Sequence, residues 1–366
     1  MAENSGVMKT LMTQRAQEIA AKIAALQSRS KIRIGFAPSS ETDFIRYFPS
    51  DLHCILATNA DDRFEVVTEG DPSAVDVLII TAHGANLANA IWGLRAQGAD
   101  CILAVWFWDN HIAHLNNMRT ALAADLVFPS HKYVAQYLLN PLSALGPHVP
   151  ACSAQWGRAE AAELFERHSS ARSDKLNVHY VDYPLSQRSL LLRALRAEMK
   201  EADVRLMDPG DRSAYFSKSR AERFKEWLCY KVSLVLPVDR DLSTRVFDGL
   251  LAGHVLLVPR DIPDFDEVIP PPAQLELGIV RFETSTVAQI SQAHRQALAI
   301  FDKQGGVGIE KRHLFVMDNH MLTHRVKTIA ETVLHIANSD LIIRFALSER
   351  VPPGLQLFAC QSKSSV

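Results

Sequence analysis

Short runs of Val, Ile and Leu without polar alternation recur along this chain, and each is followed by a stretch with helical spacing. In the first half they read KIRIGFAP, LHCILAT, VDVLIITAHG, DCILAVWFWD and ADLVFPSH, with the helical stretches SETDFIRYF, Asn86 to Gln97 and KYVAQYLL between them. A strand with no polar face is buried on both sides, and a helix after each strand supplies the cover. The pattern therefore predicts α/β architecture with parallel sheets.

The rhythm breaks at Gly157 to Lys175 (GRAEAAELFERHSSARSDK), which is charged and serine-containing, and then restarts. The second series is NVHYVDY, a helix over Ser186–Lys200, VRLMD, a helix over Arg220–Leu228, KVSLVLP, a helix over Leu242–Ala252, HVLLVP, IVRFE and a helix from Val287. A length of 366 residues suits about two domains. The spacing predicts an N-terminal helix within 1–30, a Rossmann-like domain over 31–156, a linker over 157–174 and a second Rossmann-like domain over 175–336. Two such domains in series imply a ligand cleft at the carboxyl ends of their strands. In the first helix Leu11, Met12, Ile19, Ile23 and Leu26 share a face, with Arg15, Lys22 and Arg29 off it. It reads as a helix packed on its own domain, or as a basic amphipathic helix touching an anionic membrane surface or a second subunit.

Composition narrows the function classes. The net charge of −2 lacks the basic surplus that neutralises phosphates, so no nucleic-acid partner is expected. The longest apolar run, Cys101 to Trp108, is far short of the roughly 18 residues of a spanning helix. Charges interrupt the N-terminus where a signal peptide needs an apolar core, so the expected location is cytoplasmic. Five cysteines without C-x-x-C spacing argue for neither a disulfide framework nor a zinc cage. The pairs His111/His114 and His320/His324 lack a third ligand, and no metal or other cofactor is expected. Neither a G-x-S-x-G elbow nor a P-loop is present.

The segment from Phe224 to Arg260 carries the most chemistry. Its polar loop ends at Ser243 and Thr244, where a helix begins and offers free N–H donors to an anion. Arg245 adds a forked cation, and Asp248 at i+3 shares its face. A cation for diphosphate and a carboxylate for ribose on one short helix compose a nucleotide-sugar site. An ordinary capped helix with an internal Arg–Asp pair fits the same spacing.

The stretch Arg245-Val-Phe247-Asp248-Gly-Leu-Leu-Ala252-Gly253 resembles the donor region of group 1 GT-B glycosyltransferases, especially the spore-maturation-protein type, which reads R-x-F-E-A-x-A-x-G. The likeness extends from about Asn177 to Ile336, through Pro263-Asp-Phe265 to His324-Arg325. It implies a GT-B fold of two doubly wound Rossmann-like domains facing across a cleft, with a tail over 337–366 packing back on the first. It implies a metal-independent transfer of sugar from a nucleotide donor, UDP-sugar by default, to a glycan, lipid or protein acceptor in bacterial polysaccharide or glycoconjugate biosynthesis. By position, Asp248 matches the ribose-holding glutamate, Arg188 the diphosphate cation, and Ser243 and Thr244 the groups near the diphosphate. The N-terminal domain then holds the acceptor and, for inversion, a general base. His83 in Thr-Ala-His83-Gly is the preferred base, with Asp109 and Glu41 as the other polar groups beyond strands; each also fits a turn or a helix cap. Trp106 and Trp108 read as sugar-stacking or as core aromatics.

Two departures stand out. The carboxylate that many retaining members carry eight residues before the ribose-binding one is Arg240 here, with Asp241 one place out of register. The loop Tyr183-Pro184-Leu185-Ser186 is not glycine-rich. A sugar-nucleotide epimerase on the same fold, and a non-catalytic GT-B binding module, are the rival readings.

Overall fold

The computed structural model describes residues 2–37, 64–67, 73–81, 85–108, 114–168, 171–184, 186–211, 213–283, 286–348 and 351–360. The chain divides into two compact units, one of residues 1–150 with 323–366 and one of residues 151–322.

Unit 1 opens with α1 (Ala2–Ala24), followed by β1 (Ile32–Phe36), β2 (Phe64–Val66), β3 (Val77–Ile80), α2 (Ala85–Ala96), β4 (Ile102–Phe107), α3 (His114–Ala123), β5 (Leu126–Pro129), α4 (Lys132–Leu138) and β6 (Ala144–Leu145). These six strands pair in parallel in the order β6-β5-β4-β3-β1-β2. Every residue of β3, β4 and β5 is buried, as unalternating apolar runs require.

The helix α1 packs on its own unit. Met12, Ala16, Ile19, Ile23 and Leu26 are buried along one side. Arg15 and Lys22, which the spacing places off that face, both turn inward: Arg15 Nη2 and Lys22 Nζ each lie 2.8 Å from the carboxylate of Asp125. Their long stems let them lie along the apolar seam and still reach a carboxylate at its margin. The amide of Leu103 donates to the same carboxylate, so one buried acid ties the first helix to the central strands.

Unit 2 contains α5 (Arg158–Glu166), β7 (Ser173–Val181), α6 (Gln187–Glu198), β8 (Ala202–Met207), α7 (Ser213–Phe216), α8 (Arg220–Leu228), β9 (Tyr230–Leu234), α9 (Thr244–Leu251), β10 (Val255–Pro259), α10 (Phe265–Val268), α11 (Pro271–Leu277), β11 (Val280–Phe282) and α12 (Val287–Asn319). Its sheet is wholly parallel in the order β11-β10-β9-β7-β8. One face carries Val178, Tyr180, Leu234 and Leu257 against Leu192, Leu195 and Ile290. The other carries Leu256 and Val258 against Trp156, Phe224, Trp227 and Phe247. Two cores on the two faces of one parallel sheet make a doubly wound unit.

Residues 157–174, expected as a linker, carry α5, whose Ala161 is buried and whose Leu164 and Phe165 pack against the second core. The apolar stripe at i, i+3 and i+4 was hidden among the charges of its outer face. The stretch Gly305–Lys311 lies inside α12, which is only interrupted at Gly305 (φ 55°, ψ −147°). From Thr323 the chain returns to unit 1. There α13 (Leu322–Ala337) is followed by β12 (Leu341–Ser348) and β13 (Val351–Ala359), an antiparallel hairpin whose β13 pairs in parallel with β6.

Candidate functional site

Beyond the carboxyl ends of β7 and β9 the chain passes through loops to the N-termini of α6 and α9. Ser186 caps α6 by accepting from the amide of Ser189, and Ser243 caps α9 by accepting from that of Arg245. Each cap satisfies one of the free amides and leaves a partial positive charge at the helix end.

Tyr180, at the end of β7, is the keystone between the two helices. Its buried hydroxyl donates to the carbonyl of Leu234 and accepts from the amide of Leu236, both at 2.7 Å. These bonds lock the ring at the outlet of the sheet. The guanidinium of Arg245 lies 4.2 Å from the ring centroid, and that of Arg188 lies 5.0 Å from it and 5.2 Å from that of Tyr183. Cation–π contact of this kind places a charge without neutralising it.

Neither arginine has a carboxylate partner among the described residues. Arg188 donates to the carbonyls of Val181 and Leu236, and its buried Nε has no hydrogen-bond partner. Burial lowers its pKa, and the Arg245 charge adds to that shift. Two guanidinium groups so held, beside two helix N-termini, form a cationic pair suited to a di-anion.

Asp248, one turn into α9, is 1% exposed. Its Oδ1 accepts from Ser153 Oγ and its Oδ2 from Gln155 Nε2, each at 2.8 Å. Burial pushes its pKa up to about 6, against the pull of those two hydrogen bonds and of the Arg245 and Arg223 charges. Gln155 Oε1 in turn accepts from the hydroxyl of Tyr215 at 2.8 Å. Ser153 is fixed by its backbone: its amide donates to His320 and its carbonyl accepts from Leu322.

The remaining sequence candidates divide sharply. Ser243 serves as a helix cap, and Thr244 is the half-buried first residue of α9. Arg240, with φ 62°, turns away to the carbonyl of Asp261, while Asp241 is buried. Glu41, His83 and Asp109 lie outside the described residues. Trp106 and Trp108 are buried and meet edge to face, with Trp106 Nε1 donating to Val149, so both belong to the core. Among the described residues no group of three or more His, Cys, Asp and Glu side chains is placed to hold a metal ion.

Tyr180, Ser153, Gln155 and Tyr215 were missed by sequence reasoning. An aromatic at a strand's carboxyl end just before a helix start is a signal that finds Tyr180. Nothing local marks Ser153 or Gln155, which reach Asp248 across more than ninety residues of sequence.

No family model matches the chain, and no curated protein matches it. Solved structures do. The α,α-trehalose 6-phosphate synthase of Burkholderia multivorans superposes with a TM-score of 0.50 at 11% identity, over 85% of this chain and 98% of that one. The O-GlcNAc transferase of Thermobaculum terrenum gives 0.50 at 10% identity, over 84% and 68%. A protein described as a UDP-N-acetylglucosamine 2-epimerase, from Listeria monocytogenes, gives 0.46 at 10% identity, over 84% and 97%. The first two of these are GT-B glycosyltransferases, and the two Rossmann-like units of this chain have the GT-B fold.

Proposed function

We propose that the protein is a glycosyltransferase that moves a sugar from a nucleoside diphosphate donor, with UDP-sugar the first to test, to a glycan, lipid or protein acceptor. The observation that carries this reading is the pair Arg188 and Arg245, held on Tyr180 at two helix N-termini and unneutralised by any carboxylate among the described residues. In the reaction the bond from the anomeric carbon to the diphosphate breaks, and the diphosphate leaves with the electron pair. The acceptor oxygen forms the new bond and gives up its proton. Negative charge grows on the departing diphosphate, and fixed guanidinium groups stabilise it without reorganising. No metal is required in this scheme, because the two arginines and the helix ends supply the positive charge. For an inverting outcome His83 is the proposed base, with Asp109 and Glu41 as the alternatives.

Calorimetric titration with UDP, GDP, ADP, dTDP and their sugars tests the proposal. Binding by at least one of them, lost in Arg188→Ala and Arg245→Ala, is the expected result; no binding by any of them overturns it. Incubation with the donor alone separates transfer from epimerisation, which yields an isomeric sugar nucleotide without an acceptor.

A further inference from the structure

Asp248 occupies the position that the sequence resemblance assigns to the ribose, yet it is sealed. It is 1% exposed, and each of its oxygens already accepts a hydrogen bond from a side chain of the same unit. A sugar hydroxyl reaching it would displace Ser153 or Gln155 and leave a buried polar group without a partner. An aspartate is also one methylene shorter than a glutamate, so its carboxylate stands farther back on the helix.

Gln155 stands in front of it. The side chain is only half-buried, and its amide is oriented from both ends. Nε2 faces the carboxylate of Asp248, and Oε1 faces the hydroxyl of Tyr215. The flipped amide would set Oε1 against a carboxylate oxygen, so Asp248 fixes which end is which. The second N–H of Nε2 and the second lone pair of Oε1 take no partner among the described residues. One donor and one acceptor, side by side on a rigid amide, match a vicinal diol, which offers one of each. Asp248 lies three residues beyond Arg245, about one helical turn from the cationic pair. That separation suits the step from a diphosphate to its ribose.

We infer that Gln155 reads the 2′,3′-diol of a ribonucleoside diphosphate, with Asp248 as a positioning residue that orients its amide, and that the site therefore takes ribonucleotide rather than deoxyribonucleotide donors. This rests on the donor-site reading above and narrows its substrate class. The amide meets the diol directly, while Ser153 and Tyr215 hold the frame. A missing 2′-hydroxyl leaves one side of the amide without its partner.

The test is calorimetric titration of the full chain with three pairs, UDP and dUDP, GDP and dGDP, ADP and dADP, and with inorganic pyrophosphate. In the wild type the ribose member of the binding pair is expected to bind at least 10-fold more tightly than its deoxy partner. Gln155→Ala is expected to bring that ratio below 3 while pyrophosphate affinity stays unchanged. Tyr215→Phe, a milder change that frees the far end of the amide, is expected to reduce the ratio in part. Equal binding of ribose and deoxyribose forms by the wild type, or an undiminished ratio in Gln155→Ala, overturns the inference and leaves the donor reading standing. Absence of binding by every nucleotide and by pyrophosphate removes both.

Discussion

The guanidinium of Arg245 sits 4.2 Å from the centre of the Tyr180 ring, and the hydroxyl of that ring bridges the carbonyl of Leu234 and the amide of Leu236. One side chain thus links the outlet of β9 to the first turn of α9 and to Arg188 on α6. Both cations rest against that ring, and neither makes an ion pair of its own among the described residues.

Removing either cation should weaken anion binding without unfolding the protein. Each charge-assisted hydrogen bond to a phosphate contributes about 1.5–3 kcal/mol. Arg188→Ala and Arg245→Ala should each lower nucleoside diphosphate affinity by roughly 10- to 100-fold. Calorimetry reads the affinity, and an unchanged melting temperature shows that the fold is intact.

Tyr180→Phe keeps the ring and deletes the bridge. The Leu234 carbonyl and Leu236 amide then lose a partner in the core, at a cost of about 1–3 kcal/mol. Chemical denaturation should detect that loss. Tyr180→Leu should destabilise further and also reduce diphosphate affinity, because the platform for both arginines disappears.

Asp125 is the anchor of the first helix. Its side chain is 4% exposed and takes Arg15, Lys22 and the amide of Leu103. Asp125→Ala removes one partner of a buried pair and should cost about 3–5 kcal/mol. Limited proteolysis should then cut within Ala2–Ala24 faster than in the wild type.

The carboxyl end of α9 is held by Arg312 and Arg172. Fully buried Arg312 donates from Nε to the carbonyl of Gly253, and Arg172 donates to that of Ala252. Cations at this end satisfy the last carbonyls and oppose the negative end of the helix dipole. Arg312→Met keeps most of the packing and loses the hydrogen bonds. It should lower the stability of unit 2 by about 2–4 kcal/mol, read by hydrogen exchange.

Unit 2 should lose stability as the pH falls from about 6.5 towards 4. Burial lowers the pKa of His179 to about 4 and holds those of His254, His294 and His313 below the ordinary 6.5, so each resists protonation in the fold. Below 6.5 the unfolded chain takes up protons that the folded one refuses, and the difference destabilises the fold. Asp248 acts oppositely. Its pKa of about 6 lies above the ordinary 3.8, so the folded state takes up its proton first and gains stability as pH falls through 6. His179→Gln should therefore flatten the acid loss and Asp248→Asn should steepen it, measured by hydrogen exchange across that pH range.

What the sequence determined by itself is the class of fold and the local helix frame of the candidate site. Apolar runs such as VDVLII and VSLVL are buried in parallel sheets because a strand with no polar face has no other stable setting. The caps Ser186 and Ser243, and the helix that carries Arg245 and Asp248, follow from local spacing, since capping and i, i+3 neighbours are set within a few residues. The tertiary structure decided the partners. It turned Arg15 and Lys22 inward to Asp125, made a packed helix of Arg158–Glu166, and joined the C-terminal hairpin to the first sheet. It also closed Ser153 and Gln155 over Asp248 and set Tyr180 beneath both arginines. The reason is the same in each case. A contact between separate elements depends on how those elements dock, and no periodicity within either segment records it.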